Sequence, residues 1–194
     1  MLPGEIKELF LFFGGSADTL RVYEERGCFV KKIEIYTDGA CKGNPGPGGC
    51  ACVLIYRQHR LELAYGYRET TNNRMEILAV IKALEALKET CSIDLYSDSR
   101  YVVEAVNQNW LENWQRNAWR KSDKSAVLNR DLWERLLQLL HKHQICFHWV
   151  KGHAENPEND RCDKLASAAA LDTAELQEDQ GFSAGRKNSG NDLF

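Results

Sequence analysis

The sequence contains no long apolar run and no paired-cysteine motif, and both absences narrow the class of protein. No stretch approaches the ~20 apolar residues of a membrane-spanning helix. The run Leu9–Phe13 is too short for the hydrophobic region of a signal peptide. The seven cysteines include no CxxC pair and no Cys/His spacing typical of zinc sites. We therefore expect a cytoplasmic protein without membrane segments, whose cysteines are reduced thiols.

The chain also lacks an overall excess of positive charge, because 25 Lys and Arg face 28 Asp and Glu, a net charge of −3. The distribution is uneven. Residues 110–151 contain eight Lys and Arg against four Asp and Glu, whereas residues 1–30 and 171–194 are acidic. A local basic stripe can bind a polyanion on a near-neutral protein. A solvated helical face would explain the same stretch equally well.

The length of 194 residues suits one globular domain, which we place at residues 31–170. Three strands, the last two forming a hairpin, precede strands that alternate with helices, and this order predicts an α/β protein with helices on the faces of a mixed sheet. The predicted strands are 32–38, 50–57, 61–68, 92–97 and 145–150, and the predicted helices are 72–88, 99–109, 110–118, 128–142 and 160–170.

Residues 1–30 and 171–194, on either side of the domain, carry weaker signals. Residues 1–30 show no clear period, and an added strand, a floppy arm or a mis-assigned start codon would each explain them. Residues 171–194 are polar and rich in Gly and Ser, which predicts a disordered tail.

Two predicted strands end in the same pattern. Ile33–Asp38 (IEIYTD) and Ile93–Asp98 (IDLYSD) both read apolar, acidic, apolar, Tyr, hydroxyl, Asp. Alternate residues of a strand share a face, so each aspartate points away from the isoleucine face. If the strands are parallel neighbours in register, the aspartates lie about 5 Å apart at the carboxyl end of the sheet, where open α/β sheets place their sites.

Neighbouring carboxylates repel each other, and a divalent cation removes the conflict. Oxygen ligands in an acidic cleft suit Mg²⁺ or Mn²⁺. Each aspartate also has a structural explanation: Asp38 before Gly39 could form a turn, and Asp98 before Ser99 could cap a helix.

Two further acidic residues begin predicted helices. Glu76 shares a helical face with Val80 and Ala83 and therefore points inward, while Asp163 shares a face with Ala166. Both could instead be favourable charges near helix N-termini.

Taken together, the motifs resemble type 1 ribonuclease H over residues 32–170. They are Thr37–Gly39 with Gly43–Gly49, Thr70–Glu76 (TTNNRME), Ser97–Tyr101, Trp149–His153 and Pro157–Asp163. The resemblance implies a ribonuclease H-like fold, in which a five-stranded mixed sheet with an antiparallel second strand is flanked by helices. It also implies an endonuclease that cuts the RNA strand of RNA–DNA hybrids without sequence specificity.

The resemblance further implies a catalytic set. Asp38, Glu76, Asp98 and Asp163 would bind two Mg²⁺ ions, or Mn²⁺ as a substitute, for hydrolysis that leaves a 5′-phosphate and a 3′-hydroxyl. His153 matches the family's mobile-loop histidine, which would relay protons or help product release. Without the family, His153 reads as a surface-loop histidine.

Substrate contacts follow from the same resemblance. Asn44, Asn72 and Asn73 match positions that contact the hybrid in its minor groove, where the RNA 2′-hydroxyls lie. Thr71 and Asn129 match a pocket for one DNA phosphate. Turn and helix-cap chemistry would also explain all of these residues. Arg100 stands at a further minor-groove position, where many relatives carry Gln.

Residues 110–124 resemble the basic protrusion of bacterial members. We expect its tryptophans, Trp110, Trp114 and Trp119, mainly to pack it together, with contact to the DNA backbone as the alternative. Its phosphate contacts would be Arg116, Arg120, Lys121 and Lys124. Glu112 and Gln115 stand where more basic residues are common, which would weaken affinity for the hybrid.

Two other functions stay open at this stage: a DNA nuclease on the same fold, and a protein that binds hybrids without cutting them. For a ribonuclease H the binding partner would be the RNA–DNA hybrid duplex. We expect the protein to be a monomer. Gly190–Phe194 (GNDLF) is similar to short motifs that bind bacterial sliding clamps, so a clamp contact is a further hypothesis.

Overall fold

The structure is a computed structural model, and it describes residues 21–23, 28–152 and 156–183. Six strands and five helices are defined within these residues. The strands are β1 (Arg21–Tyr23), β2 (Cys28–Cys41), β3 (Gly46–Tyr56), β4 (His59–Thr70), β5 (Cys91–Ser97) and β6 (Gln144–Trp149). The helices are α1 (Asn72–Glu85), α2 (Arg100–Asn107), α3 (Trp110–Arg116), α4 (Arg130–Leu140) and α5 (Pro157–Leu171).

The main sheet has the strand order β4-β3-β2-β5-β6. β3 runs antiparallel to both of its neighbours, whereas β2, β5 and β6 are parallel. This confirms the predicted mixed sheet with an antiparallel second strand. The short β1 pairs antiparallel with the first three residues of β2, so residues 21–23 are an added strand.

One face of the sheet carries the main core. Ile33 and Ile35 are fully buried there and pack with Ile77 and Ile81 of α1 and with Trp133 of α4. The alternation of β2 thus places its apolar side chains against these helices, as the period of two predicted. No helix that the structure describes is long and apolar enough to cross a membrane.

The opposite face is covered by α5. Tyr36 and Val53 form a small second cluster with Cys162 of this helix. The helix begins at Pro157, earlier than predicted, because the Asn156 side chain accepts hydrogen bonds from the backbone N–H groups of Glu158 and Asn159. A proline at the first position of a helix sacrifices no hydrogen bond.

The glycines and prolines of Asn44–Gly49 (NPGPGG) predict a tight turn, yet strand β3 already begins at Gly46. The turn itself spans residues 42–45 and is closed by a 2.7 Å hydrogen bond from Lys42 N to Pro47 O. Strands β2 and β3 are therefore longer than predicted at the turn that joins them, and they pair as far as Cys41 of β2.

The prediction of disorder from residue 171 onward is wrong for residues 172–183. Gln177 pairs with β4 through a hydrogen bond of 2.8 Å to Gly66 O and one of 2.9 Å from Arg68 N. Asp179 is 4% exposed and binds Arg74 of α1. One buried ion pair and backbone pairing fix this polar segment, which composition alone could not reveal. Residues 184–194, with the clamp-like Gly190–Phe194, lie outside the described residues.

Candidate active site

Asp38 and Asp98 lie side by side on neighbouring parallel strands. The register pairs Tyr36 with Tyr96 and Thr37 with Ser97, so the two aspartates occupy the next pair of positions. Both side chains are partly buried. The predicted parallel, in-register arrangement is confirmed, and it places two carboxylates at the carboxyl end of the two central parallel strands.

Neither aspartate has the purely structural role that was the alternative explanation for it, a turn for Asp38 and a helix cap for Asp98. Asp38 lies within β2 and pairs with Ala51 of β3, so it does not form a turn. The cap of α2 is Ser99, whose side chain accepts a hydrogen bond from Val102 N. Asp98 is left with its carboxylate available between strand and helix.

Glu76 reaches the aspartates because α1 packs unusually close to β2. A Cβ atom on Gly39 would lie 2.4 Å from Glu76 N and 2.5 Å from the carbonyl carbon of Met75. Only glycine permits this approach of two backbones. The residue after Asp38 therefore determines how near the Glu76 carboxylate lies to Asp38.

Asp163 approaches from the opposite face by the same means. It lies in α5, and a Cβ atom on Gly49 of β3 would lie 2.1 Å from Ala166 O in that helix. Ala166 and Ala170 are buried against the sheet. Glycines in two adjacent strands thus bring two helices, each with one acidic side chain, to the pair of aspartates.

The Glu76 carboxylate is held by hydrogen bonds. Its Oε1 accepts from Asn72 Nδ2 at 2.8 Å, and its Oε2 accepts from the hydroxyl of Ser99. Ser99 is a positioning group to which the sequence analysis assigned no role of its own. Its location directly after Asp98, at the start of a helix, was the available signal.

Burial and mutual repulsion make the group of four carboxylates electrostatically unfavourable. Burial, and then the charge of Asp98, raise the pKa of Asp38 to about 8, and Asp163 and Glu76 add to the effect. Burial and Asp98 also raise the pKa of Glu76, against the hydrogen bond from Ser99. No Lys or Arg among the described residues forms an ion pair with any of the four.

The donor set fits divalent cations that prefer oxygen ligands, because unpaired carboxylates with raised pKa values gain most from a bound positive charge. Within residues 28–152 and 156–183, no three His, Cys, Asp or Glu side chains converge closely enough to hold a metal ion as they stand. The oxygens of Glu76 instead accept from Asn72 and Ser99. The strand register fixes the backbone positions of Asp38 and Asp98 relative to each other.

The loop after β6 borders the site. Trp149 Nε1 donates a 3.0 Å hydrogen bond to Asp98 O, and a Cβ atom on Gly152 would lie 2.5 Å from Asp98 Oδ2. The next residue, His153, lies outside the described residues, so its predicted role stays a prediction. Arg100, the departure from the family pattern, is exposed and stacks on Trp149, with its guanidinium carbon 4.6 Å from the ring centroid.

The predicted minor-groove residues lie together near the start of α1. Asn44 is exposed, and its Oδ1 accepts a 3.3 Å hydrogen bond from Asn72 N. Asn73 is exposed in the first turn of the helix. The structure therefore links Asn44 to Asn72 and Asn72 to Glu76, while Asn73 lies in the same turn of the helix.

Thr71 and Asn129 are the residues that immediately precede α1 and α4. Neither side chain makes a capping hydrogen bond, although capping was the alternative explanation for both. Asn129 has a left-handed backbone with φ of 58°, and its side chain interacts with the hydroxyl of Tyr101.

The tryptophans of the protrusion pack as expected. The ring centroids of Trp110 and Trp114 are 5.9 Å apart, and Trp114 lies 5.8 Å from the buried Trp133. Trp119 is 7% exposed, with the Arg130 guanidinium over its ring. These contacts anchor the protrusion to the core.

The four predicted phosphate-binding cations of the protrusion, Arg116, Arg120, Lys121 and Lys124, are all exposed. Arg120 Nη1 donates a 2.9 Å hydrogen bond to Lys124 O, so this side chain also closes its own turn. Lys121 interacts electrostatically with Asp123, and neither Arg116 nor Lys124 forms an ion pair with an acidic side chain that the structure describes.

The fold and the four carboxylates define an α/β protein with a candidate divalent-metal site. A family model described as RNase H matches residues 30–171. The chain belongs to the ribonuclease H family.

Curated relatives carry the same family name. The chain is 58% identical to a ribonuclease H of Syntrophus aciditrophicus (strain SB) over 152 residues, which are 78% of this chain and 87% of the relative. It is 54% identical to a ribonuclease H of Pseudoalteromonas atlantica, covering 79% of this chain and 99% of the relative.

Solved structures agree with the fold. LC9-RNase H1, a type 1 RNase H with the type 2 active-site motif, matches with a TM-score of 0.67 and 28% identity over 76% of this chain and 75% of its own. LC11-RNase H1, solved in complex with an RNA/DNA hybrid, matches with a TM-score of 0.56 and 25% identity over 71% and 96%. Type 1 membership, the resemblance drawn from the motifs, is consistent with these matches.

Proposed function

We propose that the protein is an endonuclease that hydrolyses the RNA strand of RNA–DNA hybrids. The observation that carries the proposal is the group of Asp38, Glu76, Asp98 and Asp163. It comprises four carboxylates, none of them in an ion pair with a Lys or Arg that the structure describes, at one end of the sheet in a chain of this family. The hybrid bound to LC11-RNase H1 supports the choice of substrate.

The four carboxylates would hold two Mg²⁺ ions, with Mn²⁺ as a substitute. When bound, such ions supply Lewis-acid stabilisation of the attacking and departing oxygens at a phosphate. Hydrolysis of this kind leaves a 5′-phosphate and a 3′-hydroxyl. Ser99 and Asn72 orient the Glu76 carboxylate, and the raised pKa of Asp38 makes it a ligand that must lose a proton first. His153 would relay protons or help product release.

Hybrid recognition would be divided between two surfaces. Asn44, Asn72 and Asn73 would contact the minor groove beside Glu76, where a 2′-hydroxyl distinguishes RNA from DNA. Thr71 and Asn129 would bind one DNA phosphate, and the exposed cations of the protrusion would bind others. Contacts to phosphates position a duplex without reading its sequence, so cleavage would be independent of sequence.

The test is cleavage of end-labelled hybrid, double-stranded RNA and double-stranded DNA by the wild type and Asp38→Asn, with Mg²⁺, with Mn²⁺ and with EDTA. We expect cutting of the RNA strand of the hybrid alone, lost with EDTA and in the variant. Mass spectrometry of the fragments identifies their ends. Glu34→Gln, an exposed change on the same strand, is the matched control and should cut normally.

Each alternative function has its own outcome. Cutting of double-stranded DNA would favour a DNA nuclease on this fold. An electrophoretic shift of the hybrid without cleavage in either metal would favour a binding protein. Either result would overturn the proposal.

A further inference from the structure

A buried arginine links three parts of the chain beside the proposed substrate surface. Arg74, in the first turn of α1, is 3% exposed. Its Nη1 and Nη2 donate hydrogen bonds of 2.9 and 2.7 Å to the carboxylate of Asp131 in α4. Its Nε and Nη2 donate bonds of 2.6 and 2.7 Å to the carboxylate of Asp179. The planar guanidinium therefore binds two carboxylates, each through two bonds, which fixes their relative orientation.

Asp179 also binds Thr70, the residue before the proposed phosphate contact Thr71. Its Oδ2 accepts a 2.7 Å hydrogen bond from the hydroxyl of Thr70, which is fully buried at the end of β4. The Asp179 carboxylate thus holds both sides of the junction between β4 and α1, and Thr71 lies between the two points of attachment.

The segment that carries Asp179 is itself well fixed. The backbone of Gln177 pairs with β4, and a Cβ atom on Gly181 would lie 1.9 Å from Asp131 Oδ2. Residues 177–181 are therefore packed directly against the Arg74–Asp131 pair, with no room for a side chain at Gly181. This close fit favours a defined position for the Asp179 carboxylate over a loose electrostatic contact.

The two ends of this network lie next to the two proposed phosphate ligands. Thr71 is three residues before Arg74, and Asn129 is two residues before Asp131. Neither ligand caps its own helix, so capping does not fix their separation. The ion network from Asp179 through Arg74 to Asp131 joins the starts of the two helices. A pocket built from two separate helices binds one phosphate well only if their separation is held within a fraction of an ångström.

We propose that Asp179, acting through Arg74, is a positioning residue that sets the distance between Thr71 and Asn129 and so tunes binding of one phosphate of the DNA strand. The proposal rests on the proposed function, because it concerns the same substrate surface. It assigns a role in substrate binding to residues 172–183, whose polar composition predicts only a disordered tail.

The test uses hybrids in which one DNA linkage at a time is an uncharged methylphosphonate. With the wild type, one linkage position should raise KM about tenfold, the effect of losing one charged hydrogen-bonding contact. Asp179→Asn keeps the shape of the side chain and one acceptor oxygen but removes the negative charge. It should raise KM for the unmodified hybrid about tenfold as well, at nearly constant kcat. In this variant the sensitive linkage should no longer matter.

The matched control is Glu85→Gln. Glu85, the last residue of α1, pairs with Arg135 in the middle of α4 through two bonds of 2.6 Å. This variant therefore also removes an ion pair between the same two helices, but away from their starts. Its KM and its linkage sensitivity should equal those of the wild type. All assays run well below the melting temperature of each variant, so that a loss of stability does not enter the kinetics.

The possible outcomes are distinct. Full sensitivity to the methylphosphonate in Asp179→Asn, or a lower melting temperature with unchanged KM, would reduce the network to a stabilising role and overturn the proposal. A wild type that cuts hybrids but shows no sensitive linkage would also overturn it. A wild type that cuts no hybrid would overturn the proposed function instead. If Asp179→Asn does not fold, Thr70→Val removes the hydroxyl bond to Asp179 without changing charge and takes its place.

Discussion

The indole nitrogen of Trp149 donates a 3.0 Å hydrogen bond to the backbone carbonyl of Asp98, although 44% of the tryptophan surface is exposed. The bond joins the end of β6 to the residue that carries one of the four carboxylates. An exposed aromatic side chain thus constrains the backbone of the proposed site, and it also forms the platform for Arg100.

Replacing Trp149 with Phe should lower kcat about fivefold, because the ring remains but a hydrogen bond of about 1 kcal/mol is lost. The melting temperature should change little, since the side chain is largely exposed. Steady-state kinetics and thermal unfolding check both expectations. Arg100→Gln, which removes only the cation above the ring, should affect KM more than kcat. An unchanged kcat in Trp149→Phe would show that the bond does not matter for the site.

Gly39→Ala should damage the site from within the sheet. The added Cβ would meet the backbone of Met75 and Glu76, so α1 must move away from β2. We expect a loss of stability of about 1–3 kcal/mol from overpacking and a fall in kcat of at least tenfold. The matched control is Gly66→Ala, which crowds Ala169 near the end of α5 that is remote from Asp163. It should lose similar stability and retain more activity, and equal losses of activity in both variants would contradict the prediction.

Asp38→Asn should stabilise the fold in metal-free buffer. Burial and the charge of Asp98 raise the pKa of Asp38 from 3.8 to about 8, so the folded state binds this proton more tightly than the unfolded state does. The carboxylate therefore destabilises the fold increasingly as pH rises from about 4 to about 8. At pH 7 the variant should gain up to about 4 kcal/mol, at about 1.4 kcal/mol for each pKa unit. Urea unfolding at pH 4 and pH 7 measures the difference, which should vanish at pH 4.

Binding of Mg²⁺ should release protons. A ligand whose pKa is about 8 is largely protonated at pH 7, and the cation requires the carboxylate form. Apparent affinity for Mg²⁺ should fall as pH decreases below about 8. Isothermal titration calorimetry in buffers of different ionisation enthalpy counts the protons released. A proton count of zero at pH 7 would contradict the raised pKa of Asp38.

Lys121 and Lys124, exposed on the protrusion, should contribute through the phosphates alone. Replacing both with Gln should reduce the slope of log K against log salt by about 2, because each lost phosphate contact releases about one counterion fewer. Cleavage at saturating hybrid should be unchanged. Lys88→Gln, an exposed lysine near the end of α1, is the control and should leave the slope intact. Fluorescence anisotropy with labelled hybrid, in EDTA, provides the binding constants.

Much of this architecture could be predicted from the sequence, because the signals are local. The alternation of Ile33 and Ile35 with polar residues indicates a strand with one buried face, and its repetition at Ile93–Asp98 indicates a matching neighbour. If these strands pair in parallel and in register, Asp38 and Asp98 lie side by side, and the structure has this pairing. The resemblance to ribonuclease H added Glu76 and Asp163, which spacing alone could not separate from ordinary charges at helix starts.

The parts that could not be predicted depend on contacts between distant residues. Gly39 and Gly49 lie in motifs that read as turns, yet each provides the space for a helix that crosses a strand. Arg74 and Asp179 are 105 residues apart in the sequence. No period or composition links them, so the sequence alone predicts disorder from residue 171 onward.

The pairing of Gln177 with Gly66 and Arg68 also has a consequence for solubility. β4 is an outer strand of the sheet, and unpaired N–H and C=O groups along such a strand offer a template for pairing with a second molecule. The segment around Gln177 occupies part of that template from within the same chain. The segment that carries Asp179 thus also blocks the addition of a strand from a second molecule. Its detachment would expose the edge of β4, which could then pair between molecules and promote aggregation.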